Sequence, residues 1–266
     1  MKPHLGCAGL VTLAISFVHA ADTWQSTLTP PTPGNFPPLR SLHATYNFGW
    51  SGVTAATADI HFTRTGDRCT IEAKTRTIDM ARGLWPFDAE HFASGEAATM
   101  RPVQVKQTEV ERKKNVHTEL TFDARGVTAK RTDSKSGSSV RRFDIANLFD
   151  LQTALLFTRS QPLTNGSAVR AVVFPAKDPY LTTVTVEGRE RITTPAGAYN
   201  AIKCDLKLAK IGRNNELKPH KKFRKATIWV SDDADRMLLR AEAEIFVGTV
   251  FAELQSVQFE GATKRD

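Results

Sequence analysis

The chain has 266 residues, 36 Lys plus Arg against 28 Asp plus Glu, and 41% apolar residues. These fractions exclude a disordered or collagen-like chain and a polytopic membrane protein, and the length suits one large β-rich domain or two small ones. A net charge of +8 points to nucleic acid only if it is focused, and focus has to be sought along the chain.

Met1 to His4 is a short basic start, Leu5 to Val18 an apolar run, and Val18-His19-Ala20 offers a signal-peptidase cut before Ala21. The apolar run is about 14 residues, short of the ~20 that a spanning helix needs. Residues 1–20 therefore read as a cleaved signal peptide, the protein as periplasmic or secreted, and the processed chain as lacking a transmembrane segment. Residues 21–41 hold Pro30, Pro31, Pro33, Pro37 and Pro38 and read as an extended leader.

From Leu42 the apolar side chains recur every second residue. Leu42, Ala44, Tyr46, Phe48 and Trp50 alternate with polar or small neighbours, as do Ala56, Ala58, Ile60 and Phe62, with Ser51-Gly52 as the hairpin turn between them. The same period continues over 68–77, 103–111, 116–122, 127–132, 169–174, 182–192, 198–208, 226–230, 238–246 and 250–258. Leu84-Trp85-Pro86-Phe87, after the flexible Ala81-Arg82-Gly83, reads as a loop that either rims a cavity or plugs the core. Residues 144–160 break the alternation, with Ile145, Leu148, Phe149, Leu155, Leu156 and Phe157 at helical spacing and Pro162 as the stop. The expected fold is mainly β: an antiparallel, strongly curved sheet or open β-barrel over residues 42–260, with that one helix packed across an end or the open face.

Cys69 and Cys204 survive cleavage and both fall on apolar faces of strands. In an oxidising compartment they form either a disulfide or two buried thiols. Between Lys203 and Lys225 nine basic residues, among them Lys218, Lys221, Lys222 and Arg224, face Asp205 and Glu216, with Gly212, Asn214, Asn215 and Pro219 marking a loop. In an exported protein this loop suits anionic lipid headgroups or acidic envelope glycans rather than nucleic acid, while a merely solvated charged tip is the plainer reading.

Local catalytic signals are missing. The sequence has no HExxH, P-loop, GxGxxG or Gly-x-Ser-x-Gly, so neither a metal nor a cofactor is expected. Ser231-Asp232-Asp233-Ala234-Asp235 lacks calcium-loop spacing and reads as a charged turn. Asn165-Gly166-Ser167 fits a glycosylation acceptor but also a turn.

Several stretches taken together resemble the bacterial exported domain-of-unknown-function family 3108. They are Tyr46-Asn-Phe-Gly-Trp50-Ser-Gly52, Asp150-Leu-Gln-Thr-Ala-Leu-Leu-Phe-Thr-Arg159 followed by Pro162, Thr194-Pro195-Ala-Gly197-Ala-Tyr199, and Ile228-Trp229-Val230-Ser-Asp232-Asp233. The resemblance implies an envelope-located β domain without an assigned reaction. The first reading is a non-enzymatic carrier or binding protein for an amphiphilic ligand, with Trp50, Trp85, Phe87, Arg159 and Trp229 around the ligand and Lys218, Lys221, Lys222 and Arg224 at its headgroup. The second is a structural or assembly partner in the envelope. The third is a hydrolase with a dispersed site such as Asp59 or Glu72 with His61.

Overall fold

The computed structural model describes residues 23–220 and 225–261. The expected signal peptide and Lys221, Lys222 and Arg224 lie outside them. Eight strands follow the leader: β1 (Leu42–Trp50), β2 (Val53–Thr65), β3 (Arg68–Thr77), β4 (Phe87–Glu96), β5 (Pro102–Glu111), β6 (Lys114–Asp123), β7 (Gly126–Asp133) and β8 (Gly137–Phe143). Each pairs antiparallel with the next. A short helix, α1 (Asp79–Leu84), joins β3 to β4.

The second half begins with β9 (Leu148–Phe149) and helix α2 (Leu151–Ser160). It continues through β10 (Ala168–Val173), β11 (Tyr180–Thr194), β12 (Gly197–Ile211), β13 (Leu217–Pro219), β14 (Lys225–Ser231), β15 (Leu238–Ile245) and β16 (Gly248–Phe259). β1 pairs antiparallel with β16, which fuses the halves into a single 16-stranded sheet running from β8 to β9, with β13 beside β12.

Local chemistry accounts for much of this. Ser51 and Gly52 have φ of 48° and 83°, the left-handed pair that a two-residue hairpin of matching twist requires. The helix is shorter than its periodicity suggests. Asn147 adopts φ 58°, β9 follows, and the helix starts only after Asp150, whose carboxylate accepts from the backbone N–H groups of Gln152 and Thr153 at 2.7 and 3.0 Å. Thr153 returns its hydroxyl oxygen to the Asp150 N–H, completing a capping box. β4 and β8 fall where no strand was expected, because β4 is rich in small residues and β8 is an edge strand without a buried face to impose alternation. The stretch read as flexible, Ala81-Arg82-Gly83, is part of α1.

The sheet is rolled. On β10, Ala171 and Val173 belong to the main core, while Val172 packs with Val105, Leu120 and Val127 of the first half. On β11, Val184 and Val186 face the main core and Leu181 the other cluster. β10 and the first part of β11 are thus buried on both faces, tucked under the inner wall formed by β4–β8. Phe143, at the end of β8, stacks obliquely on Phe174 with ring centroids 4.8 Å apart. Residues 144–147 carry the chain directly from one edge of the sheet to the other.

Helix α2 closes one end of the roll. Its first turn packs at β4, where a side chain at Gly95 would meet Thr153, and its last turn reaches the β14–β15 connection. Phe157 is fully buried and stacks on Phe149. Arg159, expected around the ligand, is instead 2% exposed. It donates to the Asp235 carbonyl at 2.8 and 3.1 Å and to the Pro37 carbonyl at 2.9 Å. Burial, with help from the neighbouring Arg236, pulls its pKa down to about 10. The leader is part of the fold as well. The Thr29 N–H donates to the Arg170 carbonyl and its hydroxyl oxygen accepts from the Arg170 N–H, Phe36 lies under the Arg236 guanidinium at 3.5 Å, and a Cβ on Gly34 would stand 2.1 Å from the Ser160 carbonyl oxygen.

Cys69 and Cys204 are free and buried rather than bridged. Desolvation raises both thiols, Cys204 to about 11, so neither is a ready nucleophile. Alkylation in denaturant without reductant should add two labels, and the native protein should take none at pH 8; an unlabelled denatured chain would establish a disulfide. Replacing Arg159 by Met keeps the buried stem and removes the charged donors to the Asp235 and Pro37 carbonyls, so urea unfolding should show a loss of about 1–3 kcal/mol.

Candidate functional site

The strand ends define two ends of the roll. At the closed end lie α2, the leader, the β14–β15 connection and the chain after β16. A small void there holds about 10 Å³, between Cys69, Gly95, Thr153 and Leu156, space for one water at most. A second concavity is an open groove of about 550 Å³ beside Leu39, Arg40, Arg64 and Glu260. Its Arg40 is occupied by a two-point pair with Asp235, at 2.6 and 2.9 Å, and covers the Phe259 ring.

The opposite end is different in kind. Register continues the inward row Leu42, Ala44, Tyr46 to Phe48 and Trp50. Across the strands this places Ala56 and Ala252 beside Phe48, Ala241 beside Ala252, Ala243 beside Val250, Ala73 beside Ile60, and Ala89 beside Thr75. All six alanines are only half-buried, whereas inward positions nearer α2, such as Phe62, Cys69 and Ala93, are buried. The helix fills one half of the roll. The other half is an open trough with a wall of methyl groups, where large side chains on the same strands would have closed it.

Around this opening the turns expose apolar side chains. Trp50 is 49% and Val53 67% exposed on the β1–β2 hairpin, and Phe246 and Val247 are 84% and 58% exposed on the β15–β16 hairpin. The two hairpins are tied by the Trp50 indole N–H donating to the Val247 carbonyl at 2.7 Å. Met80 and Leu84 of α1, with Trp85 behind them, continue the series, and α1 joins the end of β2 through the Ile78 N–H and the Ala55 carbonyl. Trp85 stacks on Phe87 at 5.3 Å and donates its indole N–H to Glu111 at 2.7 Å, and Arg112 donates to the Leu84 carbonyl. Four successive connections are thereby linked into one rim.

The structure divides the expected ligand residues. Trp50, Trp85 and Phe87 stand at the open end. Arg159 lies at the closed end, and Trp229, 8% exposed, is on the face of β14 opposite Ile228, its indole donating to Glu190 at 2.6 Å. Neither takes part in the rim. Lys218 belongs to the short β13 within the expected loop and pairs with Glu216 at 3.0 Å. Met80, Val53, Phe246 and Val247 escaped the sequence reading. The available signal was apolar residues within turns, as in Phe246-Val247-Gly248.

No catalytic constellation assembles at the positions considered. His61 is exposed and meets Glu260 at 2.7 Å, Asp59 accepts from Thr45, and Asp59 and Glu72 are solvated. Among the described residues no cluster suits a metal ion. Asp233 accepts from the Ser231 hydroxyl and from the backbone N–H groups of Asp235 and Arg236, which makes its segment a turn.

A β-barrel-like protein of family DUF1849 from Brucella abortus is similar over 84% of this chain and 98% of its own, with a TM-score of 0.53 and 10% identity. At that identity the likeness is one of fold. Looser similarity links a DUF1089 family protein from Pseudomonas aeruginosa (TM-score 0.37, 13% identity, 71% of this chain and 90% of its own) and a protein of YmcC-like fold from Bacteroides fragilis (0.36, 8%, 85% and 99%). No curated protein matches the chain. The model of the family described as Protein of unknown function (DUF3108) matches residues 44–255, nearly the whole rolled sheet, and the chain belongs to that family.

Proposed function

We propose that this is a non-catalytic, envelope-located binding protein that receives an amphiphilic, lipid-like ligand in the open half of its roll. The half-exposed alanine wall carries the reading. Small inward side chains at Ala56, Ala73, Ala89, Ala241, Ala243 and Ala252 leave room that an acyl chain fills, while the helix sets the floor. Phe48 and Trp50 form the lip on β1. The basic connection between β12 and β14, with Lys218 and the sequence neighbours Lys221, Lys222 and Arg224, supplies countercharge for a headgroup. The apolar start of the chain and the family resemblance support export.

A second reading, an assembly partner, rests on β8. This strand pairs on one side only, is exposed along most of its length, and shows Val140 67% exposed. An unpaired edge of this kind accepts a strand from a partner.

Native mass spectrometry of protein purified from the periplasm should show a lipid-sized adduct that organic extraction removes. Ala73→Trp, which fills the trough, should reduce the adduct at least tenfold with little change in unfolding midpoint. A wild-type protein free of adduct, whose tryptophan emission also ignores added monomeric lipid, would overturn the reading.

A further inference from the structure

We infer that the open end of the roll docks end-on onto an anionic membrane surface, the exposed turns entering the interface and the flanking basic residues meeting the headgroups. Docking uses the outer tips alone and is independent of whether the trough carries a ligand.

Nine of the eleven large apolar side chains identified as exposed belong to this end, Val110 and Leu217 included; only Val140 and Leu151 lie elsewhere. Scattered exposed apolar residues are ordinary, but concentration at one end is not. Their arrangement selects the partner. They sit on separate turns that point along the strand axes and encircle an opening, so they form a discontinuous set of tips rather than a flat face. A fluid interface accepts such tips individually, and Trp and Phe are the side chains it favours.

Charge points the same way. The connections at this end carry Arg82, Arg112, Lys113, Lys135, Lys177, Arg213 and Lys218 against Asp79, Asp178 and Glu216. Lys113, Lys135 and Arg213 have no ion-pair partner among the described residues, so they are available to lipid phosphates. The connections and chain ends at the closed end have the opposite balance, with Asp67, Asp144, Asp150, Asp232, Asp233, Asp235 and Glu260 against Arg40, Arg101, Arg125 and Arg236. The molecule is therefore polarised along the roll axis, and an anionic surface orients it with the apolar tips inward.

The test is flotation of residues 21–266 with vesicles of phosphatidylcholine containing 30% phosphatidylglycerol, alongside vesicles of phosphatidylcholine alone. The protein should float with the anionic vesicles at low salt and be released as salt rises. Phe246→Asp with Val247→Asp should cut flotation at least tenfold, and Lys113→Glu about fivefold or more, since each cation near such a surface contributes about that factor. Leu151→Asp and Val140→Asp, which remove the exposed apolar residues elsewhere, should leave it unchanged. Circular dichroism confirms that each variant is folded. Equal flotation of the tip variant and the wild type would overturn the proposal. So would failure of the wild type to float, including the case in which the same tip substitutions abolish self-association instead. Ala73→Trp should float normally, so loss of the lipid adduct and loss of docking are separable results.

Discussion

The pairing of β1 with β16 is the contact on which the architecture depends. Without it the chain is an eight-stranded meander and a second, separate sheet, each with a large apolar face and nothing to cover it. With it, Leu42, Ala44 and Tyr46 line up beside Val257 and Leu254, and the first strand becomes the middle of a continuous sheet. Sheets of this width coil as strand twist accumulates. Here the coiling brings the far edges close enough for a connection of four residues, 144–147, to bridge them.

That closure is made by side chains and chain connectivity, since β8 and β9 are not paired. A roll closed in this way needs a plug, and α2 supplies it by stacking Phe157 on Phe149 beneath β1, β2 and β10–β16. Arg159 fastens the plug to the leader and to the β14–β15 connection through backbone carbonyls, a role in which its buried charge is satisfied by dipoles rather than by a carboxylate. Sealing one end this way leaves the other end of the roll open. The same asymmetry sets the distribution of alanine on the inner wall and of charge on the connections.

Much of this was legible in the sequence, for identifiable reasons. Period-two alternation with Ser51-Gly52 between runs specifies a hairpin locally, and most strands of the meander carry that signal. β8 did not, because a strand exposed on both faces has no apolar side to repeat, and β4 did not, because Ala89, Ala93 and Gly95 are small. The start of α2 was misplaced because Ile145, Leu148 and Phe149 keep helical spacing by coincidence; only Asp150 with Thr153 marks the true cap. Arg159 was misassigned for a deeper reason. A basic residue in the last turn of a helix ahead of Pro162 ordinarily projects to solvent, and its burial depends on Pro37 and Asp235, each more than 70 residues away. The open end was half visible. Trp50 and Trp85 stand out singly in the sequence, but the convergence of four connections on one rim is a property of strand direction around the roll.

The central claim is that one end of the roll is structural and the other is the working end. Hydrogen exchange measured with and without anionic vesicles tests it most directly. Protection should rise in the turns 50–54, 79–86 and 245–249 and in the connection 212–220, while α2 and the 232–237 turn stay unchanged. Protection confined to β8, or appearing around α2 and the leader with the open end unaffected, would contradict the account.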